Sequence, residues 1–202
     1  MVRAAWLRHG IGNLLVAATF FAAALPGAQR FEYAPANMVW IGGSLLMGAL
    51  SLVRFAPRAA MMDARAFTSN IGVMVLPCLL RPTVASLGVL ASLAIVMEVV
   101  GVAFSQLARI YMGRSFGILP GNRGIVSTGP FRVVRHPIYV GWALLTLGYV
   151  LAYPSWLNFA ILLATSPFMI WRIGLEEELL SEDPEYREYL TRVRFRMLPW
   201  LY

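Results

Sequence analysis

The residues with chemical potential fall in two short stretches. The first is Arg132-Val133-Val134-Arg135-His136-Pro137-Ile138-Tyr139-Val140-Gly141. It closes a run punctuated by Gly and Pro: Gly113-Arg114-Ser115-Phe116, Pro120-Gly121-Asn122-Arg123-Gly124 and Ile125-Val126-Ser127-Thr128-Gly129-Pro130-Phe131. Such punctuation makes a loop whose backbone can come close to a ligand. Pro137 suits the first turn of a following helix, which puts Arg135 and His136 at the positive N-terminal end, a place for anions. Arg135 adds a permanent charge that can hold a carboxylate through two parallel hydrogen bonds. Taken alone, the pair reads most simply as basic residues meeting lipid headgroups. The second stretch, Arg172-Ile173-Gly174-Leu175-Glu176-Glu177, reverses that preference. Arg172 and Glu176 are four apart and share a helix face. A solvated ion pair at that spacing contributes only a few tenths of a kcal/mol, so it is their placement that matters.

The elements that must position them are apolar. The chain has 202 residues, 59% of them hydrophobic and 13% charged, and a mean hydropathy of +0.67. A soluble domain needs more polar surface than this, so the chain reads as an integral membrane protein. All 17 basic residues are Arg, scattered between apolar runs, for a net charge of +7. A nucleic-acid surface needs a clustered basic face; isolated Arg residues at the ends of apolar runs look like orientation signals. The single Cys78 excludes an internal disulfide framework and a Cys-rich metal site, and no metal is expected.

With about 20 apolar residues needed per span, five or six segments qualify. The first covers about residues 10–28 behind Arg3 and Arg8; a cleaved signal peptide is the alternative there, although the later spans do not require one. The second covers 37–55. A stretch at 69–80, broken by Pro77, is too short for an upright span and reads as re-entrant or packed on a neighbour. A long run at 83–107 contains Glu98. Runs at 138–153 and 155–171, separated by Pro154, read as a tight helical hairpin. The Arg bias puts Arg3, Arg8, Arg54, Arg58, Arg65, the five between Arg109 and Arg135, and the C-terminal group on the cytoplasmic side, with Arg30 and Arg81 outside. That gives six segments if 69–80 crosses, and five with the N-terminus outside if it dips. The hairpin returns the chain to the cytoplasmic side, so Arg135-His136 and Arg172-Glu176 are expected at one membrane depth. The connector from Arg109 to Arg135, 27 residues long, is too long to be incidental. From Glu176 onward the chain carries seven of its ten acids and four Arg residues in the tail, and reads as a cytoplasmic amphipathic helix.

The combination of Gly129-Pro130-Phe131, Arg135-His136-Pro137-x-Tyr139-x-Gly141, Arg172-Ile173-x-x-Glu176-Glu177-x-x-Leu180, Glu185-Tyr186-x-x-Tyr189 and Leu198-Pro199 resembles the C-terminal half of the isoprenylcysteine carboxyl methyltransferase family, over about residues 112–200. The N-terminal half matches only as generic spans. The resemblance implies an all-α polytopic membrane enzyme using S-adenosyl-L-methionine, with membrane helices at 1–108 and a catalytic region at 109–202 forming one integrated domain. It implies that Val126, Phe131, Arg135, His136, Pro137, Ile138, Tyr139, Glu176 and Glu177 surround the cofactor. Glu176 matches the acid near the methionine ammonium, and Arg172 the residue holding an acceptor carboxylate; these two are the catalytic candidates. A lipid-like or lipidated substrate would enter from the bilayer. Phe131 stands where the family usually has Tyr, and Arg123 where it often has His, which bears on the adenosine pocket.

Methyl transfer from a sulfonium to an ionised carboxylate needs no strong base, so positioning and desolvation carry the rate. The alternatives are a phospholipid N-methyltransferase, an NADPH-dependent reductase on a related membrane fold, or a non-catalytic membrane scaffold. Glu98, a lone acid in an apolar run, is a further candidate by default, against a bland reading as a paired or protonated buried acid. The Met residues read as packing filler, and Trp142, Trp156, Trp171 and Trp200 as interfacial belts. Asp183-Pro184 reads as a helix break or start.

Overall fold

The computed structural model describes residues 34–53, 55–117 and 119–199, together with 13, 14, 17, 18 and 21. The expected first span at 10–28, apart from those five positions, the signal-peptide alternative, and Arg3, Arg8, Arg30, Arg54 and Trp200 lie outside the described residues. The described chain is mostly helical: α1 (Ala34–Leu52), α2 (Ala64–Val75) continued by a 3-10 turn at Leu76–Leu79, α3 (Val89–Met112), α4 (Pro137–Ala152), α5 (Trp156–Leu180) and α6 (Pro184–Arg192). Two short strands, β1 (Ala59–Ala60) and β2 (Gly121–Asn122), pair antiparallel with Ala59 opposite Asn122.

Two helices, over Val89–Ser115 and Trp156–Leu180, are long and apolar enough to cross a membrane. At 1.5 Å per residue, the 25 residues of α5 extend about 37 Å. The outer face of α3 leaves Leu90, Leu93, Val96, Val100 and Ile110 exposed, a surface suited to lipid. The helices at 64–79 and 137–152 are apolar but shorter. The long run expected to end at Leu107 stays helical to Met112, where Gly113 stops it with φ of 52° and its amide on the Arg109 and Ile110 carbonyls. The connector is shorter than expected by that turn.

α3 and α4 pack closely because glycines meet at their crossing. A Cβ at Gly101 would lie 2.6 Å from the Gly141 carbonyl oxygen, and one at Gly141 would lie 2.6 Å from the Ser105 amide. Side chains there would force the helices apart. The hairpin turn is held by Asn158, fully buried in the first turn of α5. Its amide nitrogen donates to the carbonyls of Arg81 (2.8 Å) and Tyr153 (2.7 Å), and its oxygen accepts from the Arg81 amide (3.0 Å). Ser155 caps α5 by accepting from the Asn158 amide. Past this turn α5 runs unbroken to Leu180, across the internal Pro167, so Arg172, Glu176 and Glu177 lie on one continuous helix.

The connector is tied at both ends. The Phe55 amide donates to the Arg114 carbonyl (2.7 Å) and that of Met61 to Pro120 (3.0 Å), which binds the α1–α2 link beside the β1–β2 pair. Asn122 Nδ2 donates to the Asp183 carboxylate (2.7 Å), which also accepts from the Glu185 amide (3.0 Å). Asp183-Pro184 therefore starts α6, with Asp183 as its cap and Pro184 in the first turn.

Replacing Asn158 with Ala removes its partner from three backbone groups, the Arg81 amide and carbonyl and the Tyr153 carbonyl. The expected loss is about 2–4 kcal/mol, read as a lower unfolding midpoint in detergent; an unchanged midpoint would mean the turn does not depend on it. The Asp183 carboxyl is held below the ordinary aspartate range by the Asn122 hydrogen bond first and the Glu185 amide second. A depressed native pKa contributes stability that is full above the unfolded value and lost as pH falls through the native one. Amide exchange at residues 121–124 is expected to be slower in the native protein than in Asp183→Asn at neutral pH. The two should converge on acidification well below about pH 4, and a pH-independent difference would refute this.

Candidate active site

The two chemical stretches meet at one cavity of about 300 Å³, at the lower end of the range for small-molecule sites, roughly 300–1,000 Å³. Val126, Phe131, Arg135, His136, Pro137, Ile138, Tyr139, Arg172 and Glu176 all line it. Every residue expected at the cofactor or the reaction is on its wall except Glu177.

Tyr139, on the first turn of α4, ties α4 to α5. Its hydroxyl accepts from Arg172 Nε (2.6 Å) and donates to Glu176 Oε2 (3.0 Å), so the cation and the acid four residues apart are joined through a phenol. Arg172, only 5% exposed, also donates from Nη1 to Asn70 Oδ1 on α2 (2.8 Å). Its guanidinium carbon lies 6.0 Å from the centre of the Tyr139 ring. The result is a rigid row, Asn70–Arg172–Tyr139–Glu176, across three helices, rather than a solvated ion pair.

Glu177 points away from the cavity and gathers the surrounding chain. Its Oε1 lies 3.1 Å from His136 Nε2 and 3.2 Å from Arg135 Nη1, and its Oε2 accepts from Arg196 Nε and Nη2, both at 2.9 Å. The backbone follows the same path: the Arg135 amide donates to Phe195 and the His136 amide to Arg196, each at 2.9 Å. The tail thus forms an extended strap over the start of α4. His136 presents a ring to the cavity while its Nε2 is engaged behind it.

One end of the cavity is aromatic and aliphatic. Phe131, Tyr186 and Tyr189 pack with Ala108 and Val193, and Ile125, Val126, Ile138 and Leu180 close around them. The Tyr189 hydroxyl donates to the Phe131 carbonyl (2.7 Å). Burial pushes both tyrosine phenols up, so they remain neutral. The Tyr186 hydroxyl is buried without a partner among the described residues, and so is Arg135 Nε. The other end is walled by Val73, Met74 and Pro77 from α2 and its turn, with Val102, Trp142 and Leu145. A polar, ring-bearing ligand suits the first end and a hydrocarbon chain the second.

Several residues here escape sequence reading. Asn70 gave a faint signal, as a polar residue inside an apolar run. Gln106 and Arg109 on α3 line the cavity, although Arg109 reads in the sequence only as an orientation signal. Tyr186 and Tyr189 belong to a recognised motif but received no role. Arg123 does not line the cavity: it is a strut, donating from Nε to the Phe55 carbonyl (3.2 Å). Glu98 also lies off the cavity, buried against Gly148 of α4 with Oε1 unpartnered among the described residues. No group of three or more potential metal-ligating side chains occurs among the described residues.

No curated protein matches the chain significantly. The family model described as phospholipid methyltransferase matches residues 83–183, half of the chain. The match takes in α3, the connector, the α4–α5 hairpin, the row from Arg172 to Glu176 and the Asp183 cap, and stops before Tyr186. The family is one of membrane methyltransferases to which enzymes of the isoprenylcysteine carboxyl methyltransferase kind are akin. With helices apolar enough to cross a bilayer carrying those residues, the chain belongs to the phospholipid methyltransferase family.

Proposed function

We propose that the protein transfers a methyl group from S-adenosyl-L-methionine to a lipid-associated acceptor, a carboxylate in the reading the site supports best. The carrying observation is the row in which Tyr139 joins Arg172 to Glu176 on the cavity wall. It sets a cation and an anion side by side in a buried place, which suits a reaction between a cationic donor and an anionic acceptor.

The residues fit the donor. Val126, Phe131, Ile138 and Tyr186 offer flat and aliphatic surface for an adenine ring, and the orphaned Tyr186 hydroxyl offers it a hydrogen bond. Glu176 offers a carboxylate for the methionine ammonium, and Arg135 and the first turn of α4 offer positive charge for its carboxylate. Bound there, the donor supplies an electrophilic methyl group on a sulfonium. Arg172, immobilised by Asn70 and Tyr139, orients the acceptor carboxylate. An ionised carboxylate loses no proton on methylation, and the site accordingly needs no base. The apolar arm takes the hydrocarbon and excludes water, which strengthens each charge contact. Glu177 acts by holding Arg135 and His136 in place.

The family match itself favours a second reading, methylation of a phospholipid amine. Against it stands the proton: an ammonium must lose one before it accepts methyl, and the wall sets Arg109, Arg135 and Arg172 against the single carboxylate Glu176. We place the site on the cytoplasmic side of a multi-pass protein with five or six segments, from the distribution of Arg residues, and read the helices at 1–108 and the region at 109–202 as one domain.

In detergent, the purified protein is expected to bind S-adenosylhomocysteine at micromolar concentration and not NADPH; saturation by NADPH instead would point to a reductase, and binding of neither to a scaffold. Glu176→Ala is expected to weaken S-adenosylhomocysteine about tenfold or more, the scale of one lost charged hydrogen bond. Arg172→Ala is expected to leave that affinity within about threefold and to abolish incorporation of labelled methyl into a membrane lipid extract. Small and equal effects from the two changes would show an inert ion pair. Label appearing in an amine headgroup rather than a base-labile ester would select the second reading.

A further inference from the structure

Arg109 lies near the C-terminal end of α3 with its side chain on the cavity wall. Its Nε is buried and has no hydrogen-bond partner among the described residues. Among those residues it forms no ion pair, and its recorded contact is with the Phe116 ring, 5.9 Å from the guanidinium carbon. The other two arginines of the cavity are engaged: Arg172 by Tyr139 and Asn70, and Arg135 by Glu177. A guanidinium nitrogen shut away from solvent without a partner is costly unless an anion or water meets it when the protein is at work.

One turn back on the same face stands Gln106, also on the cavity wall. Residues three apart on a helix have Cβ atoms about 5–6 Å apart. The Gln106 amide nitrogen is turned to Gly43 of α1, where a Cβ would lie 2.5 Å from it. Its Oε1 is left buried and without a partner among the described residues. Two cavity-lining residues one helical turn apart thus each hold a shielded, unfilled group, the donor Arg109 Nε and the acceptor Gln106 Oε1, which a turn of either side chain would bring to a ligand. Val102 and Leu145 line the apolar arm, and Val102 shares with Gln106 the contact to Gly43.

We propose that Arg109 and Gln106 form the headgroup site of the acceptor lipid, taking an amphiphile that carries an anionic oxygen next to an N–H or O–H donor. The acid oxygen is held by the Arg109 guanidinium, the neighbouring donor bonds to Gln106 Oε1, and the hydrocarbon lies in the arm. This rests on the methyl-transfer reading, and it adds a second cation to the one that orients the reacting carboxylate. A carboxylate beside an amide and a phosphodiester beside an ammonium share this chemistry.

The test is direct binding to the detergent-purified full chain, with saturating S-adenosylhomocysteine and again without it. The probes are N-lauroylglycine, lysophosphatidylethanolamine and the neutral N-lauroylglycinamide. N-lauroylglycine or lysophosphatidylethanolamine, and whichever it is identifies the acid, is expected to bind the native protein more tightly than the neutral amide. Arg109→Met is expected to lose about tenfold or more of that affinity, the scale of one charge-assisted contact, with the neutral amide unchanged and S-adenosylhomocysteine within about twofold. Arg109→Lys should keep most of the acid preference. Gln106→Leu should weaken N-lauroylglycine more than lauric acid, which has no N–H. These last two variants carry the test if Arg109→Met does not fold.

Acid binding that is unaltered by Arg109→Met, or no preference for acid in the native protein, overturns the inference. So does loss of S-adenosylhomocysteine affinity in Arg109→Met, which would make Arg109 a donor contact. Failure of the native protein to bind S-adenosylhomocysteine sinks the methyl-transfer reading instead, and the measurements without it still decide whether Arg109 selects acids.

Discussion

One carboxylate holds together the pieces of chain that enclose the cavity. Glu177 is 8% exposed and meets His136, Arg135 and Arg196 at once. Burying a charge is unfavourable by several kcal/mol unless geometry and hydrogen bonds compensate. Here both oxygens are used: Arg196 donates to one, and Arg135 forms an ion pair with the other. Removing that carboxylate would leave Arg135 and Arg196 crowded beside a histidine with nothing to offset them. The connector's exit, the first turn of α4 and the extended tail would then lose their common anchor. Glu176 is its immediate neighbour, yet successive helix positions point about 100° apart, so one acid faces the ligand space and the other the support.

The second constraint is the closeness of α3 and α4. Because Gly101 meets the Gly141 carbonyl, the Ser105 hydroxyl reaches the Ile138 carbonyl at 3.3 Å, and Arg109 comes to the same wall as Tyr139. Pro137 begins α4 one turn before Gly141, and there the chain leaves for the connector. Small residues at the crossing thus set how far apart the chemical groups stand, which a larger side chain at either position would change before it touched any ligand.

Much of this was legible in the sequence because its local signals agree. Pro154 between two apolar runs marks the hairpin, Pro137 marks the start of α4, and spacing puts Arg172 and Glu176 on one face; each is a short-range rule that tertiary packing did not overturn. The parts that stayed hidden depend on long-range neighbours. Asn70 meets Arg172 across 102 positions, and nothing in an apolar stretch around Asn70 names its partner. Arg123 reads as a substitute for a pocket histidine, but the strand pair beside it turns it towards Phe55. Glu176 and Glu177 are adjacent acids whose different duties follow only from the rotation of α5 against α4. Arg109 illustrates the limit most sharply: as an orientation signal it needs only to lie near a leaflet boundary, while its place on the cavity wall near the Phe116 ring is a matter of tertiary contact.

The balance of charge around the cavity bears on the acceptor proposed for it. Three guanidiniums against one carboxylate make the site cationic before any ligand arrives. A sulfonium donor brings its own ammonium and carboxylate, which cancel, and leaves one more positive charge on sulfur. A phospholipid amine adds no net charge, because its phosphodiester offsets the ammonium, but that ammonium would have to shed a proton first. The carboxylate on the wall, Glu176, already accepts a hydrogen bond from Tyr139. An acceptor bearing an acid lowers the excess by one on binding, and on reaction the sulfonium and the carboxylate both become neutral. In a space lined partly by hydrocarbon, where charges are weakly screened, such a neutralisation would be a driving force, and it is the physical ground for proposing a carboxylate acceptor.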